Sequence, residues 1–218
     1  MHFEILIEDQ SGKRMLDILV PKIIGNEHTF RVISYKGIGR IPKNMKDSDH
    51  AEDRILLDNL PKLLKGYGHT YAGFPTIDYA IVLVCDLDDK CLKKFRSQLV
   101  GILNSCNPMP RTQFCIAIEE GEAWFLGDLP AVKSAYPKAK KDVFNAYVND
   151  SICGTWECLA DAVYGGGSKS LSAKGWQVAG SEKSVWAEKI TPHMDPNNNA
   201  SDSFVYFRGK LRALAGGS

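Results

Sequence analysis

The sequence predicts an α/β protein: a mostly parallel sheet flanked by helices, with a helical C-terminal part. Two observations carry that expectation. Four short apolar runs within residues 3–118 alternate with segments of helical spacing, and the crossovers are long enough for parallel pairing. From residue 123 onward helices and loops follow with no further strand-like run. A chain of 218 residues supports one large domain or one domain with an appendage. The change of pattern divides it into an α/β part, residues 1–130, and a helical extension, residues 131–218, packed on it.

Residues 3–8, FEILIE, are short, rich in Ile and Leu and bounded by Asp9-Gln10-Ser11-Gly12, which reads as a buried strand. Residues 11–24 follow as a helix, with Met15, Leu16, Leu19, Val20 and Ile23 at helical spacing and Gly25-Asn26 ending it. Residues 29–35, TFRVISY, alternate as a strand, and Lys36-Gly37-Ile38-Gly39-Arg40 is a loop with two glycines and two cations. Asp47 or Ser48 is placed to cap a helix running to about Lys65. Its apolar face is Ile55, Leu56, Leu60, Leu63 and Leu64, and Pro61 should kink it.

Residues 79–85, YAIVLVC, are continuously apolar, which predicts a central strand covered on both faces. Asp86-Leu87-Asp88-Asp89 ends it, and a helix runs to about Ser105. Residues 113–118, QFCIAI, form the fourth strand, ending in Glu119-Glu120-Gly121-Glu122. In the tail, residues 184–194 read as a helix, and Trp156, Trp176 and Trp186 are expected in the core.

With 27 Lys and Arg against 26 Asp and Glu, the formal charge is +1, which excludes a protein that holds nucleic acid by bulk charge alone. A local basic groove is still allowed. The six cysteines include no Cys-x-x-Cys pair, so a structural zinc site is not expected, and Cys85 and Cys115 read as buried, reduced thiols. No apolar run approaches the ~18 residues that span a bilayer. Met1-His2-Phe3-Glu4 carries no basic stretch leading into an apolar core, so no membrane association and a cytoplasmic location are expected.

Three of the four strands end in carboxylates: Glu8 with Asp9; Asp86, Asp88 and Asp89; and Glu119, Glu120 and Glu122. Parallel strands bring these ends to one edge, where such sheets bind ligands. Gathered carboxylates raise one another's pKa unless a cation stands between them, and oxygen ligands in this number suit Mg²⁺ or Mn²⁺. Asp86 and Asp88, two apart, face the same side of an extended chain. Each cluster taken singly also serves as a helix cap or as first-turn acids; their coincidence on one edge favours a metal site. Lys36, Gly37, Gly39 and Arg40 offer a cradle for a phosphate or a nucleic-acid backbone, and equally form a surface turn. Lys189 and His193, one helical turn apart, offer phosphate contact or acid–base help, or an ordinary helix cap.

Ile5-Leu6-Ile7-Glu8 and Val82-Leu83-Val84-Cys85-Asp86-Leu87-Asp88 resemble the signature of the TOPRIM domain of topoisomerases, DnaG-type primases and OLD (overcoming lysogenization defect) nucleases. The stretches 118–128, 189–195 and 201–204 resemble a branch of bacterial TOPRIM-like proteins found around mobile elements and defence loci. The resemblance implies a divalent-metal-dependent nuclease or phosphoryl-transfer enzyme acting on nucleic acid, in anti-phage defence. It implies that Glu8 ligates metal or assists proton transfer and that Asp86 and Asp88 hold Mg²⁺ or Mn²⁺. Glu119, Glu120 and Glu122 are then second-site ligands, Glu122 foremost. Where the family follows its glutamate with Gly and a further Glu, this chain has Asp9-Gln10-Ser11. That departure keeps an alternative open: a non-catalytic TOPRIM-like scaffold that binds nucleic acid or a partner protein from the same locus.

Overall fold

The computed structural model describes residues 1–41, 55–151 and 154–216. Strands β1 (His2–Ile7), β2 (Thr29–Ser34), β3 (Tyr79–Asp86) and β4 (Thr112–Ala117) form one sheet in the order β2-β1-β3-β4. Every neighbouring pair is parallel. Helices α1 (Gln10–Ile24), α2 (Leu56–Ala72) and α3 (Leu92–Asn104) connect the strands. After β4 come α4 (Glu122–Leu126), α5 (Leu129–Ala135), α6 (Lys141–Ala146), α7 (Thr155–Val163), α8 (Gly167–Ser172) and α9 (Trp176–Ile190). A 3₁₀ turn, Thr191–His193, and α10 (Asp202–Leu214) close the chain.

The order follows from chain handedness. The chain runs outward from β1 to β2, then returns across β1 to β3 and β4. Right-handed crossovers in opposite directions place their helices on opposite faces. Accordingly Phe3, Ile5, Ile7, Val82 and Val84 share a core with α1, while Leu6, Ile81, Leu83 and Cys85 share another with α2 and α3. Burial on both faces is why β3 is apolar at successive positions. The first core also takes in Trp124, Trp186, Ile190, Phe204, Phe207 and Leu211, so the C-terminal helices complete the cover over that face of the sheet.

Two ties fix the tail. Lys22 of α1 donates to the carbonyls of Thr191, Pro192 and Met194 at 3.1, 2.7 and 3.1 Å, closing the end of α9. Buried Asp128 accepts from the Ala131 amide at 3.1 Å and from the Asp195 amide at 2.9 Å. With α9 held against α1, the side chains of α9 are set over the carboxyl end of the sheet.

Several expectations are corrected. Trp176 is 82% exposed, not in the core, because it opens α9 well ahead of the stretch that meets the core at Trp186, Ala187 and Ile190. Trp156 is partly buried and Trp186 fully so. The helix expected over 184–194 begins at Trp176 and gives way to the 3₁₀ turn after Ile190. Helix α2 extends past Lys65 to Ala72, and Pro61 sits in its second turn, buried beside Leu60 and Leu64. The caps expected at Asp47 or Ser48 lie outside the described residues, as does Cys153. Cys85 and Cys115 are buried as free thiols, and burial pushes the Cys115 thiol up to about 12. Among the described residues no helix is long and apolar enough to cross a membrane.

Candidate functional site

The connection after β1 runs to β2 on one side and the connection after β3 runs to β4 on the other, so the carboxyl ends of β1 and β3 border the crevice where open parallel sheets bind ligands. Ile7 aligns with Val84, and Asp86 aligns with Ala117 on β4. Glu8 therefore leaves the sheet beside the end of β3. A cavity with about 120 Å³ of room for water lies there, lined by Glu8, Asp9, Asp86, Asp88, Glu120, Glu122 and Lys183. Met15, Trp124, Phe125 and Ala187 supply its apolar wall. Five carboxylates named from the sequence as metal ligands (Glu8, Asp86, Asp88, Glu120 and Glu122) thus line one space.

The approach of α1 to the end of β1 depends on Gly12. A Cβ at that position would stand 2.4 Å from Ile7 Cδ1 and 2.9 Å from the capping Asp9 Oδ1, so a larger residue would force those side chains to shift. Asp9 caps α1, accepting from the Gly12 amide at 2.7 Å and from the Ser11 hydroxyl. That spends Asp9 on capping, although it also lines the cavity, and leaves Glu8 the acid of this strand end without such a structural duty.

Glu8 and Asp86 interact directly. Burial, and then the charges of Asp9 and Asp88, push the Glu8 carboxyl up to about 7, against hydrogen bonds with Asp86 that favour its ionised form. Burial and the Glu8 charge, followed by that of Glu122, hold Asp86 well above the ordinary carboxylate range. Glu8 Oε2 is buried with no hydrogen-bond partner. Two adjacent acids that resist joint ionisation, one with an orphaned oxygen, mark a deficit of positive charge at this point.

The third strand end is arranged differently. Glu122 opens α4 and is 5% exposed. Lys183 of α9 reaches it at 3.4 Å and reaches Glu120 at 3.5 Å, and its ammonium stands 5.7 Å from the centre of the Trp156 ring. Burial raises Glu120 to about 7, partly offset by Lys183. Burial alone would lower the Lys183 pKa, but Glu122, Glu120 and Asp86 outweigh it and hold it above the ordinary lysine value. Lys183 is therefore a cation at the site, and composition, spacing and resemblance all missed it.

The remaining candidates separate. Glu119 turns away from the cavity: it accepts from the amides of Gly154 at 2.9 Å and Thr155 at 2.8 Å and from the Thr155 hydroxyl, fastening the start of α7. Glu120 adds a bond from the Trp156 amide at 3.3 Å. The Asp88 amide donates to the Glu119 carbonyl at 3.0 Å, joining the loops after β3 and β4. Both residues have left-handed backbone, φ 51° and 58°, a conformation costing roughly 1–2 kcal/mol per non-glycine residue. The side chain of Asp88 pairs with Lys90.

Lys36, Gly37, Gly39 and Arg40 lie beside the first strand end without lining the cavity. The Gly37 amide donates to the Glu8 carbonyl at 2.8 Å, and the Arg40 amide donates to Asp58 at 2.7 Å. The side chains of Lys36 and Arg40 are exposed. Lys189 and His193 also stand apart from the cavity, exposed, with the Lys189 ammonium 5.6 Å from the Tyr136 ring centre. The lysine that α9 directs at the acids lies earlier in the helix.

Among the described residues no three His, Cys, Asp or Glu side chains stand ready-made as a metal-ligand group. Lys183 draws Glu120 and Glu122 to itself, and Lys90 holds Asp88. No family model, curated protein or solved structure matches the chain.

Proposed function

We propose that the chain is a TOPRIM-like, divalent-metal-dependent phosphoryl-transfer enzyme that cleaves nucleic acid. The convergence of Glu8, Asp86, Asp88, Glu120 and Glu122 on one cavity at the β1–β3 crevice carries this reading. The donor set fits Mg²⁺ or Mn²⁺: every ligand candidate is a carboxylate, Glu8 Oε2 lacks a partner, and Glu8 and Asp86 are short of positive charge. Glu8, Asp86 and Asp88 would hold the first cation, and Glu120 and Glu122 a second.

A bound cation there supplies charge neutralisation at a phosphate and a water of lowered pKa. The chain's own groups supply the rest. Glu8, whose pKa is raised to about 7 in the metal-free chain, would ligate the cation or, left out of its shell, hold a proton near neutrality as an acid–base group. Lys183, kept charged by its acidic neighbours, places a fixed cation beside the space a phosphate would enter. Met15, Trp124 and Phe125 limit water at one wall, which strengthens each of these charges.

Lys183 also favours a second reading, a non-catalytic scaffold whose acidic cluster is neutralised by a built-in lysine. Titration calorimetry with Mn²⁺, paired with plasmid and single-strand cleavage assays, separates the two. The enzyme reading expects saturable heat and metal-dependent cleavage; absence of both leaves the scaffold.

A further inference from the structure

We propose that Trp176 is a stacking platform for an unpaired nucleobase, so that the chain takes single-stranded nucleic acid along α9 into the acidic cavity. The proposal rests on the nucleic-acid reading above and goes further by naming the strandedness of the substrate and the residue that selects it.

Among the four tryptophans, Trp124 and Trp186 are fully buried and Trp156 is partly buried, while Trp176 is 82% exposed. An indole left in water forgoes the burial that makes tryptophan useful in a core and leaves its ring open to a partner that stacks. Its position says which one. At 100° per residue, Trp176, Gly180, Lys183 and Ala187 fall within about 60° of one another on α9. Lys183 and Ala187 line the cavity. Trp176 therefore stands on the stripe of α9 that leads to the acids, about 10 Å from Lys183 along the axis. Gly180, between them, has open space where a side chain would begin.

The surroundings match a polyanion with flat bases. Residues 172–178 are all exposed, and Lys169 is exposed nearby. Lys174 donates to the Tyr164 hydroxyl at 2.7 Å, with its ammonium 5.2 Å from that ring's centre. Aromatic faces interleaved with cations are the composition that binds single strands: bases stack on the rings and phosphates meet the lysines. A duplex keeps its internal base faces stacked and offers Trp176 only the outer faces of its two end pairs.

The test is fluorescence anisotropy with fluorescein-labelled dT₁₂, rU₁₂ and a 12-base-pair duplex, Ca²⁺ replacing Mg²⁺, alongside Mn²⁺ calorimetry and sedimentation of each protein. The parent should bind a single strand more tightly than the duplex, and dT₁₂ against rU₁₂ tells DNA from RNA. Trp176→Ala should weaken single-strand binding roughly five- to 150-fold, and Trp176→Phe by less than about threefold. Both variants should keep the parent's Mn²⁺ isotherm. Equal binding by Trp176→Ala, a preference for duplex, or no binding by the parent overturns the proposal. So does a parent dimer that Trp176→Ala dissolves, which makes the indole a contact between copies. If the parent shows no Mn²⁺ heat yet loses single-strand binding in Trp176→Ala, the metal reading fails while the stacking role stands.

Discussion

The Lys183 ammonium lies 3.4 Å from the Glu122 carboxylate, 61 residues earlier in the chain, and joins α9 to the end of the sheet. Lys183 occupies charge that a divalent cation would need, so binding metal and pairing Lys183 compete for Glu120 and Glu122. Lys183→Met should destabilise the metal-free protein by about 2–4 kcal/mol, since it leaves buried carboxylates without their countercharge. At about 2–4 °C per kcal/mol for a chain of this size, the melting temperature should fall by roughly 5–15 °C. Mn²⁺ should then raise the melting temperature of the variant more than that of the parent. Equal rises in both would show that the lysine does not compete with metal.

Glu8 and Glu120 are both raised to about 7 from the ordinary 4.5. The folded chain then holds these protons more tightly than the unfolded chain. Their contribution to stability is greatest below pH 4.5, falls as pH rises from 4.5 to 7, and stays at its lowest above 7. Glu8→Gln removes one of the two charges. In metal-free melts the variant should match the parent near pH 4 and exceed it at pH 8 by about 1–3 kcal/mol, within the limit set by ~1.4 kcal/mol per pKa unit. A gap of the same size at both pH values would mean that Glu8 ionises without cost.

Glu119 shares the acidic segment of Glu120 and Glu122, yet its carboxylate is consumed by Gly154 and Thr155 at the start of α7. Glu119→Ala should cost about 1–2 kcal/mol, as lost helix caps do, and leave Mn²⁺ affinity within about twofold of the parent. Chemical denaturation and calorimetry on the same preparation check both halves.

Strand β3 and helix α1 were legible because local sequence alone determines them: β3 is apolar on both faces, and α1 buries Met15, Leu16, Leu19, Val20 and Ile23 on one. The acids at the strand ends were legible for the same reason, since parallel pairing carries a local pattern to a shared edge. Lys183 was not. Its role depends on how α9 packs on α1, and residues 172–178 ahead of it are exposed all round, so no apolar stripe announced where α9 begins. Lys189 and His193 were chosen on spacing within a helix, which fixes their separation but not the direction they face. Glu119 differs from its neighbours only through Gly154 and Thr155, more than thirty residues away. Trp176 was read as core because tryptophan usually is, and only its place at the first turn of α9 leaves it in water.

The central claim is that the end of β3 holds a divalent cation, and Asp86 tests it most directly. The sheet fixes its backbone against Ala117, so this acid is the least able to swing away from its neighbours. Asp86→Asn keeps the shape and removes the charge. Mn²⁺ calorimetry on parent and variant, with melts in and out of metal, should give saturable heat for the parent and none for the variant. Relieved of repulsion with Glu8, the metal-free variant should also melt slightly above the metal-free parent. A variant that binds Mn²⁺ as the parent does, or a parent that gives no heat at all, would contradict the account.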